Sequence, residues 1–150
     1  MYDIKRKENF MKNFYLVFIL VLFLPAGTFA QDTEQAVVQE LAKTSRSWDG
    51  ESLPQYLEGQ PEVTVLRITI PPGATLNTHK HPVINAGVLL KGELTVYTEE
   101  DEVLNLQAGQ AIVEVVDKWH YGRNQADDPA EIIVFYAGVV DTPVTVLDKE

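Results

Sequence analysis

Histidine occurs three times in this 150-residue chain, at positions 79, 81 and 120. His79 and His81 are two apart, so on a β-strand both side chains leave the same face. Two imidazoles side by side form a metal clamp, suited to Zn, Cu, Fe or Ni. Asn85 has the same parity, but on a straight strand it would lie ~13 Å beyond His81, too far to share an ion. Pro82 removes a backbone donor and interrupts strand pairing. It lets the chain turn and bring Asn85 back beside the pair.

Two segments carry the pattern further. The first runs from Gly73 through His79, His81 and Asn85 to Gly92, and the second from Gly109 through His120 to Asn124. Together they resemble the cupin family. Its first motif is Gly, five residues, His-x-His, three or four residues, Glu, six residues, Gly. Gly73, His79, His81 and Gly92 match in register, with Asn85 where the Glu belongs. Its second motif is Gly, five residues, Pro-x-Gly, two residues, His, three residues, Asn. Gly109, His120 and Asn124 match, while Val115 and Asp117 replace Pro and Gly. The resemblance implies an all-β, cupin-like antiparallel barrel of the jelly-roll kind, with a divalent ion (Fe, Mn, Zn, Ni or Cu) in its mouth. His79, His81 and His120 are the metal candidates. Asn85 either joins them as a neutral and weaker ligand or stands behind them. Three imidazoles with open positions are a catalytic rather than a closed structural pattern.

Further side chains are candidates for the pocket. Arg67 interrupts an apolar strand; facing inward it could clamp a carboxylate bidentately, and facing outward it is an ordinary solvated charge. Glu114 sits six residues before His120. Inside the barrel it is a general base or a substitute carboxylate ligand, and outside it is a surface or dimer-face acid. Tyr97, Trp119, Tyr121 and Tyr136 are candidates to line an apolar mouth, and core packing accounts for each equally well. Gly73, Gly92, Gly109 and Asn124 are read as turn residues.

These residues need a scaffold of short strands. The β-branched run 62–70 is the clearest strand. Others are expected at 88–90, 92–98, 103–106, 111–116 and 132–140, with an edge at 142–147. Asp49-Gly50, the acidic tip 99–102, Ala108-Gly109 and Asp127–Pro129 punctuate them. Residues 32–41 carry good helix formers, although the resemblance implies an edge strand there; an irregular connection follows to residue 60, and 61–150 are expected to form the barrel. Many short strands separated by turn residues indicate a barrel or sandwich.

The first thirty residues differ in kind. Lys5, Arg6, Lys7 and Lys12 precede an unbroken apolar run from Phe14 to Leu24, then Pro25, Gly27 and Thr28-Phe29-Ala30. This is the layout of a secretory signal peptide, and the run is short of the ~20 residues that span a bilayer. The expectation is a periplasmic or secreted protein beginning near Gln31, with no stable membrane insertion after cleavage; the alternative is an N-terminal membrane anchor. Cleavage leaves eight Lys and Arg against twenty Asp and Glu, a net charge of −12. Such a surface repels nucleic acid. With no cysteine in the chain, disulfides and thiolate chemistry are excluded. No Gly-x-Ser-x-Gly elbow or phosphate-cradling Gly loop is present. The resemblance to cupins implies three candidate functions: a metal-binding module holding a small-molecule ligand, a metal-dependent enzyme (dioxygenase, isomerase or lyase), or a metal-free barrel acting through its surface. The resemblance implies a homodimer, for which the apolar outer strands 63–70 and 132–140 could supply the patch.

Overall fold

The structure, a computed structural model, describes residues 35–148; the expected leader at 1–30 lies outside them. Nine strands follow in order: β1 (Pro61–Ile70), β2 (His79–Lys80), β3 (Ile84–Lys91), β4 (Glu93–Thr98), β5 (Val103–Gln107), β6 (Ala111–Val113), β7 (His120–Arg123), β8 (Ala130–Val139) and β9 (Val146–Leu147). They pair antiparallel into two sheets, β1-β8-β3-β6 and β5-β4-β7-β2-β9. The all-β barrel expected from the sequence is the fold observed.

Alternation along the strands builds the core. Ile70, Leu89, Ile112, Ile132 and Val134 enter from the first sheet, and Leu94, Val96 and Leu106 from the second. The central pair is β1 with β8, matched over ten positions from Pro61↔Val139 to Ile70↔Ala130. Gly92 closes the tight β3–β4 connection at φ +75°. A Cβ there would stand 2.8 Å from the Pro129 carbonyl oxygen, so both conformation and space require glycine.

Several boundaries differ from expectation. Residues 35–44 form no strand. They are mostly Gln, Glu, Ala and Lys, which pack poorly on a pleated surface. The strand expected at 111–116 stops at Val113, and the edge at 142–147 shortens to two residues. The strand at 88–90 starts earlier, at Ile84, directly after the break at Pro82. That break frees Asn85 from the line of β2.

Two polar devices pin the loops around the site. Asn124 is wholly buried. Its amide donates to the carbonyls of Ile70, Pro71 and Asp128 and accepts from the Ala126 N–H. Lys118 lies at the centre of an acidic nest, 3.0 Å from Asp49 and 2.8 Å from Glu102, with Glu51 and Glu100 further out. It ties loop 45–53, which docks on β6 through Trp48 N–H to Val113 O, to the segment entering β7. Hydrogen bonding to Glu102 raises the Lys118 ammonium above its ordinary range, against the opposing effect of burial. Burial pushes the Asp49 carboxyl up, but bonds from Ser47, Lys118 and the Glu51 backbone outweigh it and hold it below its ordinary value. A depressed carboxylate stabilises the fold above its unfolded pKa, and that contribution disappears as pH falls through the folded one. Lys118→Met is therefore expected to lower stability by about 2–3 kcal/mol at pH 7, because it strands a buried carboxylate. The difference from wild type should shrink below pH ~4 as the acids protonate. Urea unfolding of both proteins across that range measures it; a pH-independent difference would assign the effect to packing.

Candidate metal centre

β2 and β7 are neighbours, and His79 pairs directly with His120 across them. His81 follows β2 at the Pro82 break. The three rings meet with centroids 4.5–5.0 Å apart, and one ligating nitrogen from each lies within 4.8 Å of the others. Each ring is oriented through its Nδ1 by a backbone carbonyl: Asn77 for His79 at 2.8 Å, Val144 for His81 at 2.7 Å and Lys118 for His120 at 2.9 Å. A carbonyl only accepts, so each Nδ1 bears the proton and each Nε2 keeps its lone pair. This is the arrangement that prepares an imidazole for a metal.

Burial lowers the proton affinity of His81 and His120, each to about 4; bonds to Val144 and Lys118 oppose the shift, and the neighbouring imidazoles add to it. Both rings are thus neutral at pH 7. Asp117 links the two histidine segments by donating its N–H to His81 O at 2.8 Å. It stands where the family pattern has Gly, yet adopts the same left-handed backbone, φ 55°, a conformation Asp tolerates better than most residues.

The histidines line a cavity of about 50 Å³ whose other walls include Ile68, Ile70, Leu76, Val96, Glu114 and Tyr136. That volume exceeds what one water needs and suits an ion with a few ligand atoms. A wider cleft of about 420 Å³, bounded by Leu66, Thr75, Asn77, Thr145 and Leu147, shares His79, His81 and Tyr136 with it. Among the described residues, no Lys or Arg lines either space.

The other candidates divide between inside and outside. Glu114 is inside: it is 9% exposed, its carboxylate is 3.7 Å from His120 Nε2, and burial pushes it up to about 7. The surface reading of Glu114 is corrected accordingly, because β6 ends one residue before it and its parity follows inward-facing Ile112. Tyr136 is also inside, its ring 5.4 Å from that of His81. Burial and the neighbouring Glu114 push its hydroxyl up to about 12. Asn85 is buried beside Tyr136 on the adjoining strand. Its amide nitrogen reaches Val83 O at 3.4 Å, and it is not part of the cavity lining.

Arg67 is outside, ion-paired with Glu131 at 3.1 Å on the outer face of β1 and β8, so it cannot clamp a substrate in the barrel. Tyr97 and Tyr121 stack on each other at 5.0 Å, and Trp119 receives Lys80 at 5.3 Å. Neither Trp119 nor these two tyrosines line the histidine cavity. Trp119 and Tyr121 flank His120, and neighbours on a strand face opposite ways; that alternation was already readable in the sequence. Val144 and Thr145, which approach the His81 ring, carry no sequence signal of their own, since one acts through its backbone.

The residues present fit a metal ion. His120 Nε2, Glu114 Oε2 and Asn85 Oδ1 are buried without a hydrogen-bond partner among the described residues. Buried polar atoms are rarely left so, and two of these, His120 Nε2 and Glu114 Oε2, face the histidine cavity 3.7 Å apart.

Comparison with known proteins agrees with this picture. Residues 66–136 match the family described as the cupin domain. The structure of the DMSP lyase DddQ from Ruegeria pomeroyi DSS-3 is similar, with 24% identity and a TM-score of 0.50 over 57% of this chain and 42% of that one. A cupin-like protein from Thermotoga maritima MSB8 superposes with a TM-score of 0.50 at 16% identity, over 59% of this chain and 65% of that one. This chain therefore spans less than half of the lyase's length. These likenesses are likenesses of fold. No curated protein matches the sequence.

Proposed function

We propose that this protein is an exported cupin that holds a divalent transition-metal ion through His79, His81 and His120 and presents it to a small organic molecule. The observation that carries the reading is the shared tautomer: three separate backbone carbonyls hold three imidazoles with their free nitrogens together. When bound, the ion would supply Lewis acidity and open coordination positions.

The chain's own groups do the rest. The neutral rings of His81 and His120 need lose no proton to bind. Ile68, Leu76 and Val96 form an apolar wall, and Tyr136 lines both cavity and cleft. With no basic side chain lining either space, a ligand's polar end is directed toward the imidazoles and its apolar part toward Leu66, Ile68 and Leu147. This favours a small molecule with one metal-seeking group over a polyanion.

Protein purified from the compartment it is exported to should carry close to one ion per chain by mass spectrometry, lost on chelation. Absence of metal from protein made with Mn, Fe, Zn, Ni and Cu supplied would count against the proposal. In its enzymatic form the reading is metal-dependent oxidation, isomerisation or lysis of that molecule. Oxygen uptake on addition of the co-purified ligand distinguishes oxidative turnover from retention without turnover.

The sequence of the first thirty residues supports export, which N-terminal sequencing of the mature protein near Gln31 tests. The exposed apolar residues Val63, Val65 and Phe135 on the outer sheet support pairing with a second copy, which light scattering tests.

A further inference from the structure

We infer that Glu114 is the fourth metal donor of this site, supplying from the end of β6 the carboxylate that position 85 lacks. The inference rests on the metal reading above and makes it more specific.

Placement comes first. The Glu114 N–H bonds to Asn85 O at 3.1 Å, so the two residues are neighbours across the β3–β6 edge and both enter the barrel. Only one of them reaches the histidine cavity: Glu114 lines it and Asn85 does not. Glu114 thus offers a carboxylate to the cavity from one strand away from position 85.

Chemistry comes second. His120 is protonated at Nδ1, where it donates to Lys118 O, so its Nε2 is an acceptor. The nearest carboxylate oxygen, Oε2 of Glu114, is also an acceptor when ionised. The two face each other at 3.7 Å, both buried and both without a hydrogen-bond partner among the described residues. An ionised carboxylate oxygen and an acceptor nitrogen this close in a low-dielectric interior repel. A proton does not resolve this, because an O–H···N bond spans ~2.5–3.2 Å. A cation accepting both lone pairs does.

Charge comes third. Among the described residues, no Lys or Arg lines the cavity, so a buried Glu114 carboxylate has no cationic side chain to offset it there. A buried charge without a partner is costly. An ion held by three neutral imidazoles keeps its full +2 and lacks an anionic donor. Each group supplies what the other is missing.

The test uses the full mature protein and the metal alone, without substrate. Mn(II) and Zn(II) affinities are measured by chelator competition, and the Co(II)-loaded protein is followed by its visible absorption. Glu114→Gln should weaken metal binding by at least about 100-fold, beyond the ~10–100-fold usual for groups that only orient a ligand, and should change the Co(II) spectrum. Asn85→Ala should stay within a few fold of wild type with the spectrum unchanged. Glu114→Asp, which keeps a carboxylate at shorter reach, should retain more affinity than Glu114→Gln. It also guards against a simple folding defect in the amide variant. Affinity within about threefold for Glu114→Gln, with an unaltered Co(II) spectrum, overturns the inference while leaving the three-histidine site standing. Wild-type protein that binds none of the three ions overturns both.

Discussion

His79→Ala/His81→Ala is expected to release the metal and to erase the response of the fold to it. A ligand that binds only the folded state stabilises it by about 4 kcal/mol at a thousandfold excess over its dissociation constant. For a domain near a hundred residues this raises Tm by roughly 15 °C or more. Wild-type protein titrated with Mn, Zn or Ni should show such a shift, and chelator should reverse it. The double variant keeps one of the three imidazoles, so its Tm should be the same with and without metal. Far-UV circular dichroism should remain that of an all-strand protein, since the core residues Leu89, Ile112 and Ile132 belong to other elements. A double variant that still carries a stoichiometric ion would show that these imidazoles are not its ligands. Any turnover found for the wild type should vanish with the ion, and activity surviving the double substitution would separate the chemistry from this site.

The largest expected loss of stability comes from one atom at Asn124. Its Nδ2 donates to three carbonyls, at 3.0 Å from Ile70, 3.2 Å from Pro71 and 2.8 Å from Asp128. Asn124→Asp replaces that donor by an oxygen and places a charge among three carbonyl oxygens in a fully buried position. The cost should be about 3–5 kcal/mol at pH 7. Asn124→Ala leaves the carbonyls unsatisfied but adds no charge, and should cost about 2 kcal/mol. The order of the two variants is the discriminating result. The aspartate variant should also recover as pH falls, because its carboxyl is destabilised in the folded state and protonation removes the penalty. Denaturant unfolding at pH 7 and pH 4 reads both effects. If Asn124→Asp were no worse than Asn124→Ala, the three-carbonyl clamp would not be what holds this corner together.

The fold and the histidine cluster were legible in the sequence because both depend on short-range periodicity. His79 and His81 share a parity, Pro82 marks the break that follows them, and the spacing of Gly109, His120 and Asn124 sets the second segment. Glu114 was not legible. Its parity matched that of Ile112, but which of the two parities on β6 faces inward had to be seen in the structure. Of the four aromatic candidates, Tyr136 lines the cavity, and the outward direction of two others was legible in principle. Trp119 and Tyr121 flank His120 and had to face away from it, and Tyr97 pairs with Tyr121 across β4 and β7. Arg67 followed the same rule on β1, opposite in parity to Ile68 and Ile70. The contribution of Val144 had no trace in the sequence, since a carbonyl is common to every residue.

That carbonyl sets the order of events during biosynthesis. His81 is aligned by a residue 63 positions later, and His79 and Lys80 pair with Leu147 and Val146 of β9. While residues 144–147 are still inside the ribosomal tunnel, the imidazoles at 79 and 81 have emerged without the partners that orient them. A nascent chain therefore offers the cytosol's ions scattered histidines rather than a formed cage. An ion held at this site would on that account be chosen by whatever surrounds the finished polypeptide rather than by what surrounds it during translation.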